Sequence, residues 1–290
     1  MVDAHLRPGK LLAVWSPAGS PGRTTVACSI ATELTHSGNS VLLVDADTYA
    51  PSIDVYLGLN DHPAGLAAAC RLISQDRFDI SQLRRLSVEL QTQSGSLTVM
   101  TGLSSSARWP EVSGQQIENL VQVARQHFDF VLLDAAANLE AETGLPQFAV
   151  QRNSVARWAV GNAEFVIAVC GSDPVAIARY LDASVSLAEL KPIGQLLTLV
   201  NRLRTSVLGS SAKQQILETL SRLGQIQVSG FIPDDQVAAD AAIKGAVPMV
   251  LARRSSQVKQ AISLFTKVQI LGQRNPLDGR LLKKPMAKLG

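Results

Sequence analysis

Short apolar runs bounded by turn residues recur along the chain and alternate with longer segments of helical periodicity. LLAVWS (11–16), VLLVDAD (41–47), LTVMTGL (97–103), FDFVLLDAA (128–136), EFVIAVCG (164–171), GQLLTLVN (194–201) and IQVSGFIP (226–233) have the length and β-branched content of strands. They are apolar at consecutive positions rather than alternate ones, the pattern of a parallel sheet covered on both faces. Between them the periodicity predicts helices over 24–37, 113–127, 174–190, 211–223 and 254–271. Gly38 is placed to end the first. The last carries Val258, Ile262, Phe265, Val268 and Leu271 on one stripe. Such alternation predicts an α/β fold, a doubly wound and mainly parallel sheet with its ligand site at the C-terminal strand ends.

Composition narrows the picture. Hydrophobic residues make up 46% of the 290 and charged residues 18%, so a large core is affordable and a disordered or fibrous chain is excluded. At ~150 residues per domain the length allows two. The unbroken alternation favours one domain over 1–271, with 60–113 as an inserted helical and irregular segment and 272–290 as a basic, flexible tail. No apolar stretch approaches the ~20 residues of a membrane span, and no secretory signal is visible. Cys28, Cys70 and Cys170 are widely spaced and read as buried thiols of a reducing, cytoplasmic compartment. A net charge of +3 is too mild to imply nucleic acid by itself.

The candidate chemistry begins after the first strand. SPAGSPGRTTVACSIA (16–31) runs from strand through a glycine-containing turn into a helix, the layout in which backbone N–H groups surround phosphates. The general pattern asks for Gly, four residues and Gly-Lys-Ser/Thr. Here Pro17 replaces the first glycine and Arg23 the lysine, while Gly22 and Thr24 fit. Asp45 and Asp47 end the second strand, and Asp134 ends the strand containing FVLL. Three strand-end acids and one phosphate-type turn make a coherent nucleotide and magnesium site.

In these motifs the sequence resembles the MinD/ParA group of deviant Walker A ATPases, over residues 10–271. Where that family carries KGGxGKTT, this chain has AGSPGRTT, Ala18 to Thr25. DADTYAPSIDVYLGL (45–59) resembles the first switch, DAAANLE (134–140) the Walker B and second switch, and Asn201-Arg202 the base-recognition pair. IPDDQVAADAAIKGAVP (232–248) resembles the late Ile-Pro-Asp motif with its following helix. The segment 60–113, and VMTGLSSSARWPE (99–111) within it above all, resembles most the CpaE/TadZ branch associated with Flp/Tad pilus assembly.

The resemblance implies ATP or ADP bound with Mg²⁺. Gly19, Ser20, Gly22, Arg23, Thr24 and Thr25 would surround the phosphates, and Asn201, Arg202, Pro233 and Asp235 the base. Thr24, Asp134 and, more weakly, Asp45 would serve the metal, largely through water. Asp47 and Arg23 would be the catalytic residues. Each has a plainer reading: strand-end polar residues, N-capping by Thr24 or Thr25, a turn-forming Asn201.

The departures point elsewhere. The family's signature lysine is Ala18 here, Arg23 offers a planar fork in place of a compact ammonium, and Pro17 and Pro21 remove backbone donors. These features predict weak nucleotide binding, weak or absent hydrolysis and a homodimer less dependent on ATP. Such a protein would position or scaffold a pilus or secretion assembly, in the cytoplasm or peripherally at the membrane or cell pole. Arg152 is a candidate for the charge missing at Ala18, with a solvated surface arginine as the favoured reading. Partition-type, non-specific DNA binding through Arg202, Arg204, Arg253, Arg254 and the tail is one alternative, and a nucleotide-independent interaction module another.

Overall fold

The computed structural model describes residues 8–19, 21–59, 61–92, 94–142, 144, 149–204, 209 and 211–275. Among these residues eight strands form one sheet: β1 (Lys10–Trp15), β2 (Val41–Ala46), β3 (Val88–Thr92), β4 (Gly95–Met100), β5 (Phe130–Ala135), β6 (Phe165–Gly171), β7 (Gln195–Leu203) and β8 (Val228–Pro233). Their spatial order is β3-β4-β2-β5-β1-β6-β7-β8, and every pair is parallel except β3 with β4. The chain winds from β1 outward through β2 and β4, returns through β5, and then builds β6 to β8 on the other side of β1. The loop leaving β1 therefore opens where the winding reverses, the usual ligand crevice of doubly wound sheets.

The helices are α1 (Arg23–His36), α2 (Ile53–Tyr56), α3 (Gly65–Ile73), α4 (Ile80–Arg85), α5 (Gly114–Ala124), α6 (Ser154–Asn162), α7 (Pro174–Leu190), α8 (Ala212–Gly224), α9 (Gln236–Gly245), α10 (Met249–Ala252) and α11 (Gln257–Phe265). Leu11, Ala13 and Trp15 pack toward α5, α6 and α7, while Leu12 and Val14 pack toward α1 and α11. Burial on both sheet faces is what the unbroken apolar runs predict. Residues 60–113 supply α3, α4, the hairpin β3–β4 and a 3₁₀ turn at Ser106–Glu111.

Local chemistry sets the helix ends. Ser113 and Gln116 form a reciprocal capping box on α5, and Asp173 caps α7 ahead of Pro174. Gly38 (φ 87°) lies just past α1, and its N–H meets Thr35 O at 3.0 Å. The predicted last helix differs in detail. After α11 one π turn (Thr266–Ile270) shifts the register, so that Ile270 is buried while Val268 and Leu271 are only half-buried.

All three cysteines are free and buried. Burial pushes the thiols of Cys70 and Cys170 up to about 12, and that of Cys28 well above its ordinary value.

Candidate functional site

The turn between β1 and α1 is shaped by its glycines. Gly19 (φ 112°) and Gly22 (φ 93°) hold left-handed conformations. A β-carbon on Gly22 would lie 2.5 Å from Asn201 Nδ2. Gly22 is also the N-cap of α1, a fourteen-residue helix with no side-chain cap and no acid in its first turn. The positive end of the helix dipole is thus open at Arg23, Thr24 and Thr25, which suits an anion. Pro17 and Pro21 are buried, Ala18 and Gly19 are exposed, and Ser20 lies outside the described residues.

Beneath this turn the acids converge. Asp45 and Asp134 are register partners on β2 and β5. The Asp45 carboxylate accepts N–H groups from Ser52 (2.8 Å), Ile53 (2.9 Å) and Asp47 (3.2 Å). Asp47 Oδ1 accepts from Tyr49 N (2.8 Å) and Ala50 N (3.0 Å). Arg23 points down into this group. Its Nε donates to Asp134 Oδ1 at 2.9 Å, and Nη2 pairs with Asp47 Oδ2. Thr24 Oγ1 donates to Asp134 Oδ2 at 2.6 Å and lies 3.2 Å from Ser52 Oγ. The arginine side chain is 13% exposed, against 3% and 1% for Asp47 and Asp134.

Burial, then the neighbouring Asp134, push the Asp45 carboxyl up to about 7, against its three N–H donors. Burial also raises Asp134, opposed by Arg23 and the Thr24 hydroxyl. Burial disfavours the Arg23 cation, yet Asp134 and then Asp47 hold its pKa above the usual value. The acids therefore face a guanidinium rather than an open coordination position. The glycine turn and the helix end above them have the shape and polarity for a phosphate group.

The base-side candidates are arranged less uniformly. Asn201 is 7% exposed, and its Nδ2 donates to Pro21 O at 2.7 Å, so the amide grips the phosphate turn. Arg202 (φ 57°) sits at an irregularity of β7, with Nε 3.9 Å from the place of a Gly22 β-carbon. Pro233 ends β8, and Asp235 caps α9 through Ala238 N at 3.0 Å.

Arg152 stacks 3.8 Å from the centroid of the Tyr49 ring and donates to Thr48 O at 3.0 Å, tying the loop after β2 to the start of α6. Sequence reasoning missed Arg179. This α7 residue packs on Gly19, its Cζ 3.5 Å from where a β-carbon would stand. Trp15 is fully buried, and its Nε1 donates to Ala137 O at 2.9 Å in the segment after β5.

Known proteins share this fold. The sequence model of the family described as "ParA: NUBPL iron-transfer P-loop NTPase" matches residues 8–135. The septum site-determining protein MinD of Synechocystis is 26% identical over 252 residues, covering 85% of this chain and 84% of its own. Among solved structures, a ParA family ATPase from Chlorobium tepidum superposes with a TM-score of 0.71 at 20% identity, covering 89% of this chain and 98% of that one. MinD of Pyrococcus horikoshii, solved with Mg-ADP, gives 0.66 at 17% identity, covering 96% and 100%. The chain thus has the fold of the P-loop NTPases of the ParA/MinD family and is similar to them in sequence over most of its length.

Proposed function

We propose that this protein binds an adenine nucleotide weakly, hydrolyses it slowly or not at all, and acts as a dimeric positioning or scaffold component. The assembly it serves would be a Flp/Tad-type pilus or a secretion machine, as the resemblance of 99–111 to the CpaE/TadZ branch suggests. The observation that carries the reading is the internal ion pairing of Arg23 with Asp47 and Asp134. A nucleotide on the glycine turn meets the open end of α1, while the acids that would serve magnesium are already neutralised. Among the described residues no helix is long and apolar enough to cross a membrane, and membrane contact in this reading is peripheral. Cluster carriage, to which the description of the matching family model points, finds no accessible ligand in three buried thiols.

The test is ATPase turnover of the wild type, Arg23→Lys and Asp47→Ala. Wild-type turnover should stay near background and rise in Arg23→Lys, whose compact ammonium cannot bridge both acids as a fork. A wild-type rate of ordinary size (about 1 s⁻¹ or more) that Asp47→Ala abolishes would overturn the proposal. The same ion pairing also favours a nucleotide-independent interaction module. Calorimetry that finds no ADP binding beside a stable dimer would select that second reading.

A further inference from the structure

Arg23 is spent on Asp47 and Asp134, so the charge of a phosphate above the turn must be met from elsewhere. Two other arginines reach the same turn from separate elements. Arg179 comes from α7, and its guanidinium packs directly on Gly19. Arg202 comes from the end of β7 and lies beside Gly22. Neither side chain has a hydrogen bond or ion pair among the described residues, whereas their neighbour Arg204 is paired with Asp234 at 2.6 Å. Their place is fixed by the backbone: Ser172 Oγ donates to Arg202 O at 2.6 Å, and the Asp173 cap sets the start of α7. Two guanidinium groups without partners among the described residues, flanking two left-handed glycines and an uncapped helix end, make a site of backbone donors and positive charge.

We infer that Arg179, with Arg202 as its second, is the cation that holds a diphosphate or triphosphate on the 19–25 turn, and that this capture needs no magnesium. The inference rests on the nucleotide-binding reading above and gives it a mechanism in which arginine forks replace both the missing lysine and the metal. Arg179 here is a binding residue supplied within one chain.

The experiment is a calorimetric titration of ADP and of inorganic pyrophosphate, each in EDTA and in magnesium. It compares the wild type with Arg179→Ala, Arg179→Lys and Arg202→Ala, with Arg222→Ala on exposed α8 surface as a charge control. Wild-type affinity should change less than about threefold between EDTA and magnesium. Arg179→Ala should weaken both ligands about tenfold or more, the size of a lost charge-assisted contact. Arg179→Lys should recover part of the loss, and Arg222→Ala should bind as wild type. Equal binding by wild type and Arg179→Ala, or wild-type binding only with magnesium, overturns this inference and leaves nucleotide binding standing. A wild type that binds neither ligand in either buffer removes the nucleotide reading itself. Unchanged melting temperatures keep any loss attributable to the site.

Discussion

Replacing Arg23 by methionine keeps most of the side-chain volume and removes the charge between Asp47 and Asp134. At an effective dielectric constant of 20, a guanidinium nitrogen 2.9 Å from a carboxylate oxygen interacts by about 6 kcal/mol. Part of that is offset by desolvating the three groups. Removing one partner of a buried pair nonetheless costs about 3–5 kcal/mol, because the remaining charge is left without compensation. Asp47 and Asp134 are each almost fully buried, so the upper half of that range applies to Arg23→Met at pH 8. With roughly 2–4 °C per kcal/mol for a domain of this size, the melting temperature should fall by about 8–20 °C.

The defect has a specific remedy. Asp47 and Asp134, freed of the guanidinium, should attract a divalent cation beside Thr24, and a cation held at a Kd of about 1 mM returns about 1.4 kcal/mol at about 10 mM. Differential scanning fluorimetry with and without magnesium should therefore raise Arg23→Met by a few degrees and leave the wild type unmoved. A loss below about 0.5 kcal/mol, or an equal magnesium shift in both proteins, would refute the view that Arg23 occupies the metal's place.

Asp45 gives a pH signature. Its carboxyl stands at about 7 when folded, against about 3.9 in an unfolded chain, so the folded state holds the extra proton between those values. Its contribution is fully present below about pH 4 and lost as the pH rises through 7; urea unfolding at pH 5 and pH 8 should show the higher stability at pH 5, and a rise toward pH 8 would contradict it. Gly22→Ala combines a positive φ with a β-carbon 2.5 Å from Asn201 Nδ2. It should cost about 1–3 kcal/mol and release the Asn201 grip. Gly38→Ala, at φ 87° with nothing within 4 Å, should cost about 1 kcal/mol. Equal losses in chemical denaturation would show that the Asn201 contact adds nothing.

The seven parallel strands were legible because each reads as an apolar run, six of them largely buried on both faces and β8 a half-buried edge strand. β3 was not: VELQT is a half-exposed antiparallel edge strand, whose alternation is shared with many loops. α6 escaped because SVARWAVGN is short and follows a polar stretch. At the site, the residue types and their order along the chain identified Arg23, Thr24, Asp45, Asp47 and Asp134 as neighbours. Sequence could not give the direction of Arg23. A guanidinium at that position can rise to a phosphate or descend to the acids, and the choice depends on how closely β2 and β5 bring Asp47 and Asp134 beneath it. The sequence pattern of Asn201 suits an adenine edge, whereas its bond to Pro21 O depends on β7 lying beside the turn, which no local signal encodes. Arg179 carries no local signal, because the contact with Gly19 arises from the packing of α7.

The three sheltered thiols simplify labelling. Burial holds all three well above the ordinary thiol range, so they carry almost no thiolate at neutral pH, and attacking reagents cannot reach the sulfur. A single new cysteine at an exposed position such as Val185 or Ile243 would then react selectively with a maleimide dye or spin probe. Any association of copies and movements of α7 become measurable by fluorescence transfer or electron resonance, on a protein whose interior needs no prior serine replacements.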